Sequence, residues 1–315
     1  MIVTLAGGVG ASRFLQGLVK VVDPQSVVAV VNTGDDVVLH GLRVSPDLDT
    51  VTYALAGAVD VAQGWGVAGE SWTVMGALER LRLSAPEAST AGSTWFRLGD
   101  LDLATHLYRT QRLREGARLS EVTTEITRAW GLGCRLVPMT DDRVETRVTV
   151  AGEGEIGFQE YFVARRHSVP VRSVRFAGAD ASLPAAGVLE ALEAADRVVI
   201  APSNPVVSIA PILAVPGVEE AVAARREDAV AISPIVAGAA LKGPADRLMS
   251  ELGLEASVVG VARLWAPWAA TLVIDEADAA LAPAVEQEGM DCVVAPTVMH
   301  DPAEAAELAR LVLAV

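Results

Sequence analysis

The residues best suited to chemistry follow short apolar runs. Directly after Ile2–Ala6 stands Gly7-Gly8-Val9-Gly10-Ala11-Ser12-Arg13, leading into a helical pattern from Phe14 to Val22. Glycines in this place let backbone N–H groups approach a phosphate at a helix N-terminus, where the macrodipole favours an anion. No Gly-Lys-Ser/Thr follows, so this is not a Walker A loop, and Arg13 stands where a dinucleotide fingerprint has its third glycine. A tight turn without a ligand is the competing reading. The second apolar run ends in Asn32-Thr33-Gly34-Asp35-Asp36, and Ser45-Pro46-Asp47-Leu48-Asp49-Thr50 comes soon after. Asp35, Asp36, Asp47 and Asp49, on two loops near a phosphate-binding turn, make a natural site for a hard divalent cation that bridges substrate phosphates. Against this, Asp36 and Asp47 sit beside Gly and Pro, where aspartates cap helices and turns.

Further along, Arg97 offers a guanidinium fork for a phosphate or carboxylate, and Asp100 reads as a helix N-cap. His106 lies inside an amphipathic helix, where a partner-bonded structural histidine is commoner than a catalytic one. Asp141 and Asp142 form another acidic pair, with surface solvation as its plain reading. Pro202-Ser203-Asn204-Pro205, with Ser208, is a stiff polar loop inside apolar chain whose side chains and free amides suit phosphate oxygens. Ser233 closes a later apolar run. Lys242, one of only two lysines, follows it in a place that suits a phosphate or purine carbonyl, and equally a solvated surface lysine.

These residues need a frame. Ile2–Ala6, Val27–Val31, Arg197–Ala201, Ala229–Ser233, Thr271–Ile274 and Cys292–Ala295 read as buried strands alternating with helical patterns, the sign of a parallel sheet flanked by helices. The expected fold is a Rossmann-like α/β unit over residues 1–315, with its chemistry outside the carboxyl ends of the strands. Residues 50–131 read as a helical insertion: Ser71 caps a helix through Leu83, Asp100 starts one through Arg114, and Ser120 starts one ending at Gly131. Residues 140–165 read as a β-hairpin insertion, with Val148–Ala151 and Ile156–Glu160 flanking Gly152-Glu153-Gly154.

Composition removes whole classes. The 315 residues carry 40 acidic against 25 basic side chains, a formal charge of -15, and 51% are hydrophobic. Such a surface repels nucleic acid and anionic membranes, and the apolar content excludes disorder. Two distant cysteines, Cys134 and Cys292, form neither a CxxC metal site nor a disulfide framework. The start MIVTLAGG lacks a basic segment and its apolar run is too short for a secretory signal, so a cytoplasmic protein is expected. Val198–Val218 is free of charge, but its four prolines exclude an unbroken spanning helix.

Taken in order, GGVGASRFLQGL, VNTGDD, VSPDLDT, LGDLDLATHLYRTQ, MTDD, FQEYFV, APSNPVVSIAPIL and SPIVAG make the chain resemble the CofD family, the transferases of deazaflavin coenzyme F-420 biosynthesis. The resemblance spans residues 2 to about 250. It implies a Rossmann-like core, a homodimer, Mg2+ dependence and a guanosine-diphospho donor. In the implied reaction the terminal ribityl hydroxyl of the deazaflavin Fo attacks the phosphorus bearing a lactyl or enolpyruvyl group, and GMP leaves. By the same resemblance Asp49 and Arg97 match positions that contact Fo, and Asp35 and Asp49 are the catalytic candidates. Asp35, Asp47 and Asp49 would hold the metal, with Asp49 nearest the attacking hydroxyl. Gly7, Gly8, Gly10, Asn32, Ser203, Asn204 and Ser208 would cradle the diphosphate, with Ser233 and Lys242 toward the guanosine.

Two rivals are weaker. A YvcK-like nucleotide-sugar-binding protein has Gly-Gly-Ser-Ser-Gly after its Asp pair, whereas Val37-Val38-Leu39-His40-Gly41 follows here. An NAD-dependent oxidoreductase needs an acidic ribose anchor about 20 residues after the glycines and an unbroken fingerprint.

Overall fold

Uninterrupted runs of Val, Ile and Leu are stable only where both faces of a strand are covered. The computed structural model places these runs in one sheet and describes residues 1–60 and 64–315; residues 61–63, within the expected helical insertion, lie outside the described part. The strands are β1 (Ile2–Ala6), β2 (Val27–Val31), β3 (Arg135–Pro138), β4 (Arg197–Ile200), β5 (Ala229–Ile232), β6 (Thr271–Ile274) and β7 (Asp291–Val294). Their order is β7-β6-β5-β4-β1-β2-β3 and every neighbouring pair is parallel. The Rossmann-like α/β expectation is met. Every residue of β1 and β2 is buried. The strand that sequence reading leaves out of the sheet is β3, an edge strand that starts on exposed Arg135 and ends in Pro138.

The winding reverses between β1 and β4, so the loops leaving these neighbours diverge and open a crevice at their carboxyl ends. Helix α1 (Gly8–Val21) starts inside the glycine segment rather than at Phe14. An antiparallel pair, Val37–Leu39 with Leu42–Val44, then turns the chain back on itself through His40 and Gly41, both with positive φ as a tight hairpin requires. Helix α2 (Pro46–Leu55) follows, with Pro46 in the first turn. Asp47 and Asp49 therefore stand in the first turn of a helix and not on a loop.

The insertion contains α3 (Thr73–Arg82), α4 (Asp100–Arg114) and α5 (Leu119–Ala129). The start of α4 caps α3, and the segment before α3 caps α4 in return. Asp100 accepts from the Thr73 and Val74 amides at 3.0 and 3.1 Å, while Glu70 accepts from Leu101 and Asp102 N–H at 2.7 Å each. Ser71, the expected cap of α3, gives its hydroxyl to Asp100 instead, and with those amides pulls that carboxyl down to about 2.

The hairpin insertion is a three-stranded antiparallel sheet, in which Glu145–Val150 pairs with both Gly154–Gly157 and Val171–Ala177. Arg172, Ser173 and Arg175 interrupt the apolar pattern of its third strand, which hides it from a hydropathy reading. Thr146 N–H donates to the Gly34 carbonyl at 2.6 Å, tying this sheet to the loop after β2. Cys134 and Cys292 are free, and among the described residues no helix is long and apolar enough to cross a membrane.

Since Glu70 satisfies two otherwise open amides of α4, Glu70→Ala is expected to lower stability by about 1 kcal/mol in urea denaturation. It should also speed amide exchange at Leu101 and Asp102. Unchanged exchange at both amides would contradict the reciprocal capping.

Candidate functional site

The 37–44 hairpin sets the site. Pairing Val37 with Val44 leaves Asp36 beside Ser45, whose hydroxyl donates to Asp36 Oδ2 at 2.6 Å. The aspartates after β2 thus face the first turn of α2. Asn32 occupies the centre: its Nδ2 donates to Asp47 Oδ2 at 2.9 Å, more weakly to Asp35 Oδ1 at 3.4 Å, and to the Val207 carbonyl at 3.3 Å. Its Oδ1 accepts from Gly34 N–H at 2.8 Å. Gln159, from the three-stranded module, donates to Asp35 Oδ2 at 2.7 Å. Among the described residues neither Asp35 nor Asp47 is ion-paired.

The glycine segment and the Pro202–Asn204 loop are packed against each other. A Cβ on Gly10 would lie 2.1 Å from the Pro202 carbonyl oxygen, and one on Gly7 would lie 2.7 Å from both Asp47 Oδ2 and the Ser208 Cβ. Only glycine permits either approach. Ser203 Oγ donates to the Gly7 carbonyl at 2.9 Å and accepts from Gly7 N–H at 3.3 Å. Gly7, Gly8, Asn32, Asp35, Asp47, Ser203 and Ser208 therefore converge at the start of α1.

Other expected site residues are engaged locally or stand apart. Asn204 Oδ1 accepts from Val206 and Val207 N–H and caps the wide helical turn Pro205–Ile209. Ser233 Oγ bonds both the amide and the carbonyl of Ile235. Lys242 is near Gly64, and burial, with the charge of Arg13, lowers its pKa. Arg97 lies over Trp72, 4.3 Å from the ring centroid, and lines a cavity of about 340 Å³ with Trp65, Trp95, Val163, Ala164 and Arg166.

Asp49 belongs to a second cluster. Arg109 grips its carboxylate with two nitrogens, NH1 at 3.1 Å from Oδ2 and NH2 on Oδ1. His106 is buried between two acids, with Nδ1 3.7 Å from Asp49 Oδ2 and Nε2 3.1 Å from Asp102 Oδ2. Tyr53 donates to Asp102 Oδ1 at 2.6 Å. Burial works against ionising Asp102, but His106, Tyr53 and Arg109 hold its pKa below the usual carboxylate value. Donor atoms of Asp49, Asp102 and His106 lie within 4.8 Å of one another, a spacing a metal could use. The guanidinium already neutralises Asp49, so the cluster is less suited to a cation than the unpaired Asp35 and Asp47. Of the three acids that the sequence expectation grouped, Asp49 is the one with an arginine partner.

Sequence reading overlooked Gln159, Arg109, Asp102 and Tyr53. Two of these, Asp102 and Arg109, could have been found from α4 itself. Asp102, Thr105, His106, Arg109 and Thr110 repeat at helical spacing, whereas the large apolar side chains of Leu101, Leu107 and Tyr108 are exposed. A helix that buries its polar stripe is packing against other polar groups.

Burial dominates the acids around Asn32. It pushes the Asp47 carboxyl up to about 6, against the Asn32 amide and Gly8 N–H. Asp35 is raised well above the carboxylate range by burial and then by the charges of Asp47 and Asp36, against the Gln159 bond. Asp36 reaches about 7 through burial, with Ser45, Arg109 and Arg43 opposing. Buried oxygen donors without a counter-cation fit a hard divalent ion, which would restore the ionised forms.

A carboxyl whose folded pKa is raised adds stability that is complete below its unfolded value, 3.8, and is lost as pH rises through the folded value, about 6 for Asp47. In the absence of divalent cations Asp47→Asn is therefore expected to be more stable than the parent at pH about 7.5, by on the order of 2 kcal/mol, with the difference vanishing near pH 4. Thermal melts at both pH values check this. A variant no more stable than the parent at the higher pH would contradict it.

The comparisons converge on one family. The profile of the family described as "2-phospho-L-lactate transferase CofD" matches residues 2–312. A phosphoenolpyruvate transferase from Kitasatospora aureofaciens is 45% identical over 322 residues, covering 99% of this chain and 97% of its own. Proteins of the same name from Streptomyces griseus and Nocardia farcinica are 44% and 43% identical, covering 99% and 98% of this chain and 97% and 92% of their own. A crystal structure of a Bacillus halodurans protein of the UPF0052 family aligns with a TM-score of 0.61 at 17% identity, covering 99% of this chain and 98% of that one; at this identity the likeness shows the fold alone.

Proposed function

The chain belongs to the CofD family and is a transferase, and from that premise we propose that it moves a phospho-enolpyruvyl group from a guanosine-diphospho donor to the terminal ribityl hydroxyl of the deazaflavin Fo, releasing GMP in coenzyme F-420 biosynthesis. The enolpyruvyl donor, rather than the lactyl one, is chosen because the relatives matching nearly the whole chain are phosphoenolpyruvate transferases.

The observation that carries this reading is the buried Asp35–Asp47 pair, without a counter-cation among the described residues, at the N-terminus of α1, where the helix dipole favours the donor's phosphates. Asp35 and Asp47 would hold Mg2+. When bound, the ion would offset charge on the diphosphate and on the leaving GMP. Gly7, Gly8 and Ser203, with Ser208 beside them, supply the cradle for the phosphates, and Asn32 keeps both carboxylates aimed at it.

In the reaction the hydroxyl oxygen of Fo forms a bond to the phosphorus carrying the enolpyruvyl group. The bond from that phosphorus to the bridging oxygen breaks, and GMP leaves with the electron pair. Asp35 Oδ1, whose contact with Asn32 is the long one, takes the hydroxyl proton, while Gln159 fixes the other oxygen. Asp49 contributes through Arg109, locking the first turn of α2 to α4 and so fixing where Asp47 stands. The cavity at Arg97 takes the planar ring. Only four residues separate Arg97 from Asp102 of the Asp49 cluster, so ring site and acidic site share one stretch of chain.

The test is to incubate the protein with Fo, Mg2+ and the enolpyruvyl, lactyl or glyceryl donor, following GMP release and the mass of the deazaflavin product. Product from the enolpyruvyl donor alone is expected. No product from any donor, with a nucleotide sugar raising the melting temperature, would overturn the proposal. Within this assay Asp35→Asn is expected to lower kcat by about 10² or more while changing the KM for Fo less than about threefold.

A further inference from the structure

We infer that Arg166 is a specificity-determining residue of the cavity shared by the helical insertion and the three-stranded module, reading the negative charge of a planar aromatic ligand. Trp65, Trp95 and Arg97 line the cavity from one side, Val163, Ala164 and Arg166 from the other. Indole faces and guanidinium planes together suit a flat conjugated anion.

The backbone around Arg166 is unusual. Arg166 and His167 are consecutive residues other than glycine with positive φ, 49° and 41°. Such conformations persist only where surrounding contacts enforce them, and they gather at ligand sites. Several contacts do so here. His167 N–H donates to the Tyr161 carbonyl at 2.9 Å, Ser168 donates twice to the Arg165 carbonyl, and Arg247 donates to the His167 carbonyl. The His167 ring stacks on Phe162 at 5.6 Å.

Neighbouring charges point the same way. Arg165 is spent on Glu153 and Glu160, whereas Arg166 has no ion pair among the described residues in a chain of charge -15. Arg97 is likewise without an ion pair, but it is braced on Trp72. Arg166 is thus an exposed residue of the cavity lining, held there on a strained turn with its guanidinium uncommitted.

This inference rests on the acceptor reading above and names what the cavity recognises. The 8-hydroxyl of Fo is conjugated through the ring to a carbonyl, a vinylogous acid, so the ring is readily anionic at the end away from the ribityl chain. Arg166 pairs with that oxyanion. A ring with methyl groups there lacks the charge and is not favoured.

The experiment titrates the parent, Arg166→Gln and Arg166→Lys with Fo and with neutral 5-deazariboflavin, by quenching of tryptophan fluorescence, alongside transferase kinetics. Arg166→Gln is expected to raise the Kd and KM for Fo about tenfold, to leave kcat and the affinity for 5-deazariboflavin unchanged, and to be partly rescued by Lys. Parent-like Fo binding by Arg166→Gln would overturn the inference and leave the acceptor reading intact. Failure of the parent to bind or convert Fo would overturn both.

Discussion

Two carboxylates held on a single amide, with no counter-cation among the described residues, are the constraint on which the rest of the site depends. Asp35 and Asp47 both face Asn32 Nδ2, and burial raises the pKa of each. An isolated protein gains nothing from such an arrangement, because each acid would be better solvated apart. It becomes favourable when a ligand brings positive charge. The surrounding fold maintains it: the hairpin returns Ser45 to Asp36, Gln159 reaches in from the inserted sheet, and the glycines let Asp47 close on α1.

The second cluster complements the first. Here Arg109 is ion-paired with Asp49, and His106 and Tyr53 lie against Asp102. A network that carries its own guanidinium suits alignment, and a pair without one suits ligand binding. The chain thus places a self-contained ionic lock beside an electrostatically open site, and α2 carries a residue of each.

The sheet was readable from its apolar runs, although β7, read as a buried strand, is an edge strand whose residues are exposed or half-buried. Six strands show as such runs, while β3 begins on an exposed arginine and is completed by packing. The glycine segment was legible as a site but not as the first turn of α1, since glycine's low helix propensity is overridden there by contact with Pro202 and Asp47. The grouping of Asp35 with Asp47 followed from reading both on loops near the glycine turn, although Asp47 stands in the first turn of α2. The arginine partner of Asp49 was not legible, because it is a buried side chain sixty positions away. Gln159 was equally hidden: a single amide on an inserted module carries no periodic signal. Asn204 and Ser233 show the reverse, residues of suitable type whose side chains serve local turns.

The most direct measurement of the central claim is carbon NMR of the protein with its aspartate carboxyls labelled, recorded near pH 6 before and after adding Mg2+ with GDP. The account predicts two resonances, assigned to Asp35 and Asp47 by Asn substitution, that carry protonated character at first and move to carboxylate positions on addition. Resonances already in the carboxylate position, or unmoved by metal and nucleotide, would contradict it.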